Sequence, residues 1–383
     1  MDKLDIFKVD KNFLIEQEDQ KDVEYFSARE IEGALYGVFY DESRSIYCRM
    51  PDELSRSVSE WVHYNARCTA GGRLRIETDS PYITLRAIEP KEKVASSMTP
   101  TAQFGFTIEE GHLYHGDVSP TLWDEYVTKA DSEYFVFQGT RHFAPNKQLR
   151  SLTIHFPMYN TVNELYVGVK KGSILRKAKD YKYKTPIVFY GSSIEQGASA
   201  SRPGNDYVST VCKWLGSDYL NMGFSGACRG EKIMAEYLAS LNASAYVIAY
   251  DYNAGSVEHY ENTHYQLYKI IREKNANTPI LFTTRANVTI NSCMIDGKKI
   301  FFSEPYSSTA DCEVNRFQKV ALETYEKAKA DGDKNVFFLG GEKLYGDEDG
   351  EMNNSDHIHP NDLGFYKMAK AVYPIVKKMI ETK

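Results

Sequence analysis

The sequence predicts two domains in series. Residues 1–180 read as an antiparallel β-sandwich or jelly roll, and residues 181–383 as an α/β domain with a mostly parallel sheet covered by helices on both faces. Three observations carry this reading. Short strand-like runs separated by Gly, Asp, Ser and Pro fill the first half, and long helical patterns are scarce before Tyr181. After Tyr181, short apolar runs without polar alternation take turns with stretches of helical period. The chain has 383 residues, 42% of them hydrophobic, which suffices for two cores.

In the first half, "GALYGVFY" (Gly33–Tyr40), "WVHYNARC" (Trp61–Cys68) and "GRLRIETDSPYITLRAI" (Gly72–Ile88) read as strands rich in β-branched and aromatic residues. Within the last, "RLRIETD" alternates as a half-buried strand does. "YFVFQG" and "LRSLTIHFPMY" continue the pattern. The lysine-rich "KGSILRKAKDYKYKT" reads as a solvated connector or as an edge strand. In the second half, "TPIVFYG", "DYLNMG", "AYVIAYD", "TPILFTT" and "NVFFLGG" read as strands. Between them lie helical stretches, "DYVSTVCKWLG", "GEKIMAEYLASL", "VEHYENTHYQLYKIIREK" and "VNRFQKVALETYEKAKA". A last helix, "NDLGFYKMAKAVYPIVKKMIE", carries Pro374, where a kink is expected.

Composition narrows the function. A formal charge of −7 disfavours nucleic acid as a partner. None of the six cysteines forms a CxxC pair, so buried thiols are expected rather than a structural zinc or redox pair. The N-terminus has no apolar run of signal-peptide length, and no stretch is apolar for the roughly 18 residues of a membrane helix. As written, the chain is expected to be cytoplasmic, with a homodimer as the default assembly. The 28 tyrosines are scattered, which suits cores and gives no aromatic stripe.

Open parallel sheets bind ligands outside the carboxyl ends of their strands. After the first predicted strand come Gly191, Ser192 and Ser193, which fit either a helix cap or a nucleophile on a rigid edge. After the second, "NMGFSGACRG" leaves backbone N–H groups near Gly226 uncovered. After the third, Asn253 offers a side-chain amide, and Asp251 has no evident partner. After the fourth, Arg285 suits a structural salt bridge or a polar substrate. After the fifth, "DHIHP" brings Asp356 three residues before His359, whose backbone is restrained by Pro360. Asp356, His357 and His359 also number enough for a metal, but no Cys or second His cluster supports one, so no metal or cofactor is implied.

Together these residues satisfy what a serine ester hydrolase needs. A serine hydroxyl is a poor nucleophile until a base takes its proton, and histidine is the side chain suited to do so near neutral pH, which makes His359 the candidate base for Ser193. Asp356 orients the imidazole and stabilises its charged form, while Gly226 and Asn253 supply oxyanion donors.

These blocks resemble the SGNH hydrolases, also called GDSL-type esterases. Gly191-Ser192-Ser193 stands for the first block, Gly226 for the second, Asn253 for the third, and Asp356 to Pro360 for the fourth. The first-block Asp is replaced by Ser192, and Ala254 follows Asn253 where the family usually has Asp. The resemblance runs from Thr185 to the end. "YGSSIEQGASASRPG" and "DYNA" look closest to relatives with an N-terminal β-domain, several of which act on acetylated plant polysaccharides or small esters. "FGFTIEEGHLY" resembles the short module preceding the esterase in some of them. The resemblance implies a flavodoxin-like sheet, Ser193 as nucleophile, and release of short acyl groups such as acetyl from a small-molecule or oligosaccharide ester. Arg202, in the loop after the nucleophile, suits a sugar contact or a loop brace. The alternatives are an acyltransferase with the same nucleophile, and a non-catalytic carbohydrate-binding protein. A nucleotide binder would need a glycine-rich phosphate loop, which "GSSIEQG" does not match.

Overall fold

A computed structural model describes residues 22–93, 95, 97–120, 133–144, 148–286, 290–295, 298–303, 313–345, 351–356 and 358–381. In the second half, five strands form one parallel sheet: β1 (Tyr183–Gly191), β2 (Ser217–Gly223), β3 (Ala245–Ala249), β4 (Ile280–Thr283) and β5 (Val336–Leu339). Their order is β2-β1-β3-β4-β5, with every pairing parallel. This is the doubly wound flavodoxin-like order, with its switch point at β1.

The period-2 alternation of β1 divides its side chains between two cores. Val188 and Tyr190 join Tyr246, Ile248 and Phe282 beneath helices Lys232–Ser240, Val257–Lys274 and Glu313–Ala330. Ile187 and Phe189 join Val247 and Leu281 beneath Tyr207–Leu215 and Asp362–Glu381. Both faces being covered explains why these strands read as unbroken apolar runs. Pro374 lies inside the last helix.

The N-terminal part is a two-sheet antiparallel domain. One sheet orders Val23–Ser27, Glu164–Lys170, Tyr82–Pro90 and Tyr134–His142. The other orders Leu175–Lys177, Arg73–Thr78, Arg150–His155, Phe106–Glu110 and Leu113–Val118, with Leu35–Tyr36 also on Arg73–Thr78. Ile83, Leu85 and Val167 of the first share a buried core with Ile76, Phe106 and Ile154 of the second. The lysine-rich stretch contains the edge strand Leu175–Lys177.

Two local expectations are corrected, and one hairpin is added. "WVHYNARC" is not a strand: Glu60–Arg67 is a helix, capped by the Ser59 side chain, which accepts from the Val62 N–H. Val62, Asn65 and Ala66 are buried at helical spacing, and that spacing outweighs the β-propensity of Trp, Val and Tyr. "GALYGVFY" is broken into Leu35–Tyr36 and Phe39–Asp41, because Gly37 takes a left-handed φ of 73°. A hairpin of Ile290–Ile295 with Lys298–Ser303 was not anticipated, although the Asp-Gly between its strands is a hairpin signal.

Candidate active site

The two serines after β1 do different work. Ser192 is the cap of the short helix Ser193–Gln196: its hydroxyl accepts from the Ile194 N–H at 3.1 Å, and the Glu195 carboxylate accepts from the Ser192 N–H at 2.6 Å. This reciprocal box fixes the turn. Gly191 is required here because a Cβ would collide with the Glu195 carboxylate and the Ala249 carbonyl. Burial pushes the Glu195 carboxyl up to about 7, against the hydrogen bonds from Tyr207 and Ser192 that favour its ionised form.

Ser193, one residue on, faces the imidazole instead. Its Oγ lies 2.7 Å from His359 Nε2, across 166 residues of sequence. His359 Nδ1 lies 2.6 Å from Asp356 Oδ2. The other carboxylate oxygen accepts from the Ile358 and His359 N–H groups, each at 3.0 Å. Burial would raise the Asp356 carboxyl, but the bonds from the His359 ring and these two N–H groups outweigh it and hold the pKa below its usual value. An ionised Asp356 accepts from Nδ1–H and leaves the Nε2 lone pair facing Ser193.

The positions of Ser193, Gly226 and Asn253 follow from strand register. Gly191 is paired with Gly223 of β2 and with Ala249 of β3, so the three strands end side by side. Ser193, Gly226 and Asn253 each lie two to four residues past those ends. Among the described residues, neither the Ser193 nor the Gly226 N–H donates to a protein acceptor, and the Asn253 side chain makes no hydrogen bond. Gly226 has φ 68°, and a Cβ there would meet nothing within 4 Å, so backbone conformation rather than space demands glycine.

The N-terminal domain grips this rim through residues that the sequence does not single out. The Tyr159 hydroxyl donates to the Ser193 carbonyl at 3.3 Å. Asn65 Nδ2 donates to the Ser225 carbonyl at 3.1 Å, next to Gly226. Arg49, 2% exposed, donates to the carbonyls of Asn221 at 2.8 Å, Gly223 at 2.7 Å, Cys68 at 2.7 Å and Asn65 at 2.6 Å. Its guanidinium also lies 4.9 Å from the centre of the Phe224 ring. Desolvation pulls the Arg49 pKa down to about 10.

The remaining candidates fall to structural uses. Arg285 Nε meets Asp251 Oδ2 at 3.1 Å, which supplies the partner that the sequence did not reveal for Asp251. Arg202 stacks 4.4 Å from the Tyr114 ring centre and lies 4.0 Å from Glu109, bracing its loop on the first domain. His357 lies outside the described residues, among which no group of three His, Cys, Asp or Glu is placed to hold a metal. Cys48, Cys68, Cys212 and Cys228 are buried free thiols. No helix among the described residues is long and apolar enough to cross a membrane.

With this geometry in place, likeness to known proteins adds the family. Residues 184–377 match the GDSL-like Lipase/Acylhydrolase family, and residues 23–175 match the N-terminus of SGNH-hydrolase-type esterases. No curated protein matches the chain by sequence. Among solved structures, a Bacteroides ovatus protein described as a GDSL-like lipase is 25% identical, with a TM-score of 0.76 over 94% of this chain and 98% of that one. A salicylyl-acyltransferase from a tetracycline biosynthetic pathway is 18% identical, with a TM-score of 0.72 and the same coverage. An acetyl xylan esterase from the rumen bacterium Butyrivibrio proteoclasticus is 12% identical, with a TM-score of 0.57 over 94% of this chain and 99% of that one.

Proposed function

The chain belongs to the GDSL-like lipase/acylhydrolase family, with the N-terminal β-domain of SGNH-type esterases, and on that premise we propose that Ser193 is the nucleophile of an esterase that releases short acyl groups, acetyl above all, from a carbohydrate ester. The observation that carries this reading is the run of short contacts from Ser193 Oγ through His359 to Asp356, at 2.7 and 2.6 Å. We take residues 181–383 as the hydrolase domain and 1–180 as the accessory one. In support, the last strand of the two-sheet N-terminal part ends at Lys177 and β1 begins at Tyr183.

His359 Nε2 takes the Ser193 proton as Oγ bonds to the acyl carbon. The carbonyl oxygen becomes an oxyanion, received by the N–H groups of Ser193 and Gly226 and by the Asn253 amide. The bond to the alcohol oxygen then breaks, and the imidazolium returns its proton to that oxygen. Asp356 stabilises the imidazolium throughout. Water, deprotonated by His359, attacks the acyl-serine, and the acid leaves with Ser193 restored. The small, polar character of the loops around Ser193 favours a short acyl group. In support, one structural relative is an acetyl xylan esterase and others are family two carbohydrate esterases.

An acyl-release screen over acetylated xylan, acetylated mannan and simple acetate esters tests the reading, with Ser193→Ala as control. Release that depends on Ser193 is expected. Undiminished release by Ser193→Ala, or none from any ester by folded wild type, contradicts it.

A further inference from the structure

Resting on the esterase reading above, we propose that Asn65 of the N-terminal domain is a positioning residue for the oxyanion site, holding the Ser225–Gly226 peptide in the orientation that presents the Gly226 N–H to the carbonyl oxygen. Residues 224–227 form a β-turn closed by the Ala227 N–H, which donates to the Phe224 carbonyl at 2.9 Å. Gly226, at the third position, has φ 68°, while Ser225, at the second, keeps a negative φ. That pair of signs is the type II turn. Its type I counterpart has the same closing bond, but the central peptide is turned over and φ at the third position is about −90°. Glycine adopts either sign of φ with similar ease, so the turn by itself does not choose between the two.

The choice matters to the chemistry. In a trans peptide the C=O and the N–H point in opposite directions, and no cis peptide bond occurs among the described residues. A turned-over peptide therefore takes the Gly226 N–H away from the site and offers the Ser225 carbonyl oxygen instead. A partial negative charge would then stand where the oxyanion must form, in place of a donor.

Asn65 supplies the discrimination. Its Nδ2 donates to the Ser225 carbonyl at 3.1 Å and to the Trp61 carbonyl, one helical turn back, at 2.8 Å. Both neighbours are carbonyl oxygens, so the amide nitrogen, not its oxygen, must face them. Asn65 is 3% exposed, and its own carbonyl accepts from Arg49 Nη2 at 2.6 Å, so the donor is fixed in place. Among the described residues, this is the one hydrogen bond that the Ser225–Gly226 peptide makes. The Ser225 N–H belongs to the preceding peptide and donates to Gln196 Oε1 at 2.9 Å. Gln196 ends the helix that Ser193 begins, so it ties the turn to the nucleophile, while Asn65 sets the direction of the peptide within the turn. Turning that peptide over would break the Asn65 bond and leave a buried amide hydrogen without an acceptor.

The test measures p-nitrophenyl acetate hydrolysis by wild type, Asn65→Ala and Asn65→Asp. Turnover is divided by the number of Ser193 side chains that a serine-directed phosphonate labels at completion, which removes any unfolded fraction. Asn65→Ala should lower kcat per labelled site about ten- to hundredfold and leave KM nearly unchanged, the signature of an interaction made in the transition state. Asn65→Asp keeps the shape of asparagine but sets an acceptor against the Ser225 carbonyl, so it should lose more kcat per site than Asn65→Ala does. A merely structural Asn65 would change the labelled fraction and the melting temperature and leave turnover per site alone. Wild-type kcat per labelled site in either variant, a loss carried by KM, or an aspartate that outperforms alanine would overturn the positioning role while Ser193-dependent hydrolysis stands. Hydrolysis that survives Ser193→Ala would instead bring down the esterase reading itself.

Discussion

At the scale of single residues, Ser192 and Ser193 should respond differently to the same change. Ser193→Ala should abolish turnover and leave the melting temperature near wild type. Ser192→Ala removes a helix cap, so it should cost about 1 kcal/mol of stability and keep measurable turnover. Parallel activity and melting measurements separate the two. Asn253→Ala should lower kcat by roughly 10²–10³-fold, and its unpartnered side chain means that little stability is lost with it. Equal kcat in the variant and wild type would remove Asn253 from the reaction. The sequence made both serines visible, because a buried strand ending in small hydroxyl residues is conspicuous. It did not say which one caps the helix, since that depends on Glu195 folding back onto the Ser192 N–H.

At the scale of elements, the turn from β1 into its short helix depends on a buried carboxyl. The folded pKa of Glu195, about 7, lies above the ordinary 4.5. Its stabilising contribution is therefore complete below about pH 4.5 and is lost as pH rises through about 7. Glu195→Gln should flatten the fall in melting temperature across that window, and parallel slopes for the two proteins would show that Glu195 does not titrate there. The parallel strands were legible because burial on both faces writes itself as apolar runs. Glu60–Arg67 was misread because its composition favours β while its spacing favours α, and spacing decides once Val62, Asn65 and Ala66 have a common core to face.

At the scale of the whole molecule, the first domain is part of the wall around Ser193. Arg49 reaches across 172 residues to Asn221 and 174 to Gly223, and Asn65 across 160 to Ser225. Nothing local in the sequence marks such contacts, whereas the strand-end residues of the second domain share one rim by topology alone. Arg49→Met should leave several buried carbonyls without donors, at about 1–3 kcal/mol each. A urea titration should show a loss of more than about 2 kcal/mol, with turnover falling as the Gly223–Gly226 loop loosens. Wild-type stability and turnover in that variant would mean that the clasp is ornamental to the site.

The account rests most heavily on Ser193 being the group that carries the acyl. Its most direct test is the mass of the enzyme and its peptides after reaction with a serine-directed phosphonate. One adduct per chain, on Ser193, formed far more slowly when His359 is replaced by Ala, is the predicted result. Labelling of another residue, or of Ser193 at the same rate without His359, would contradict it.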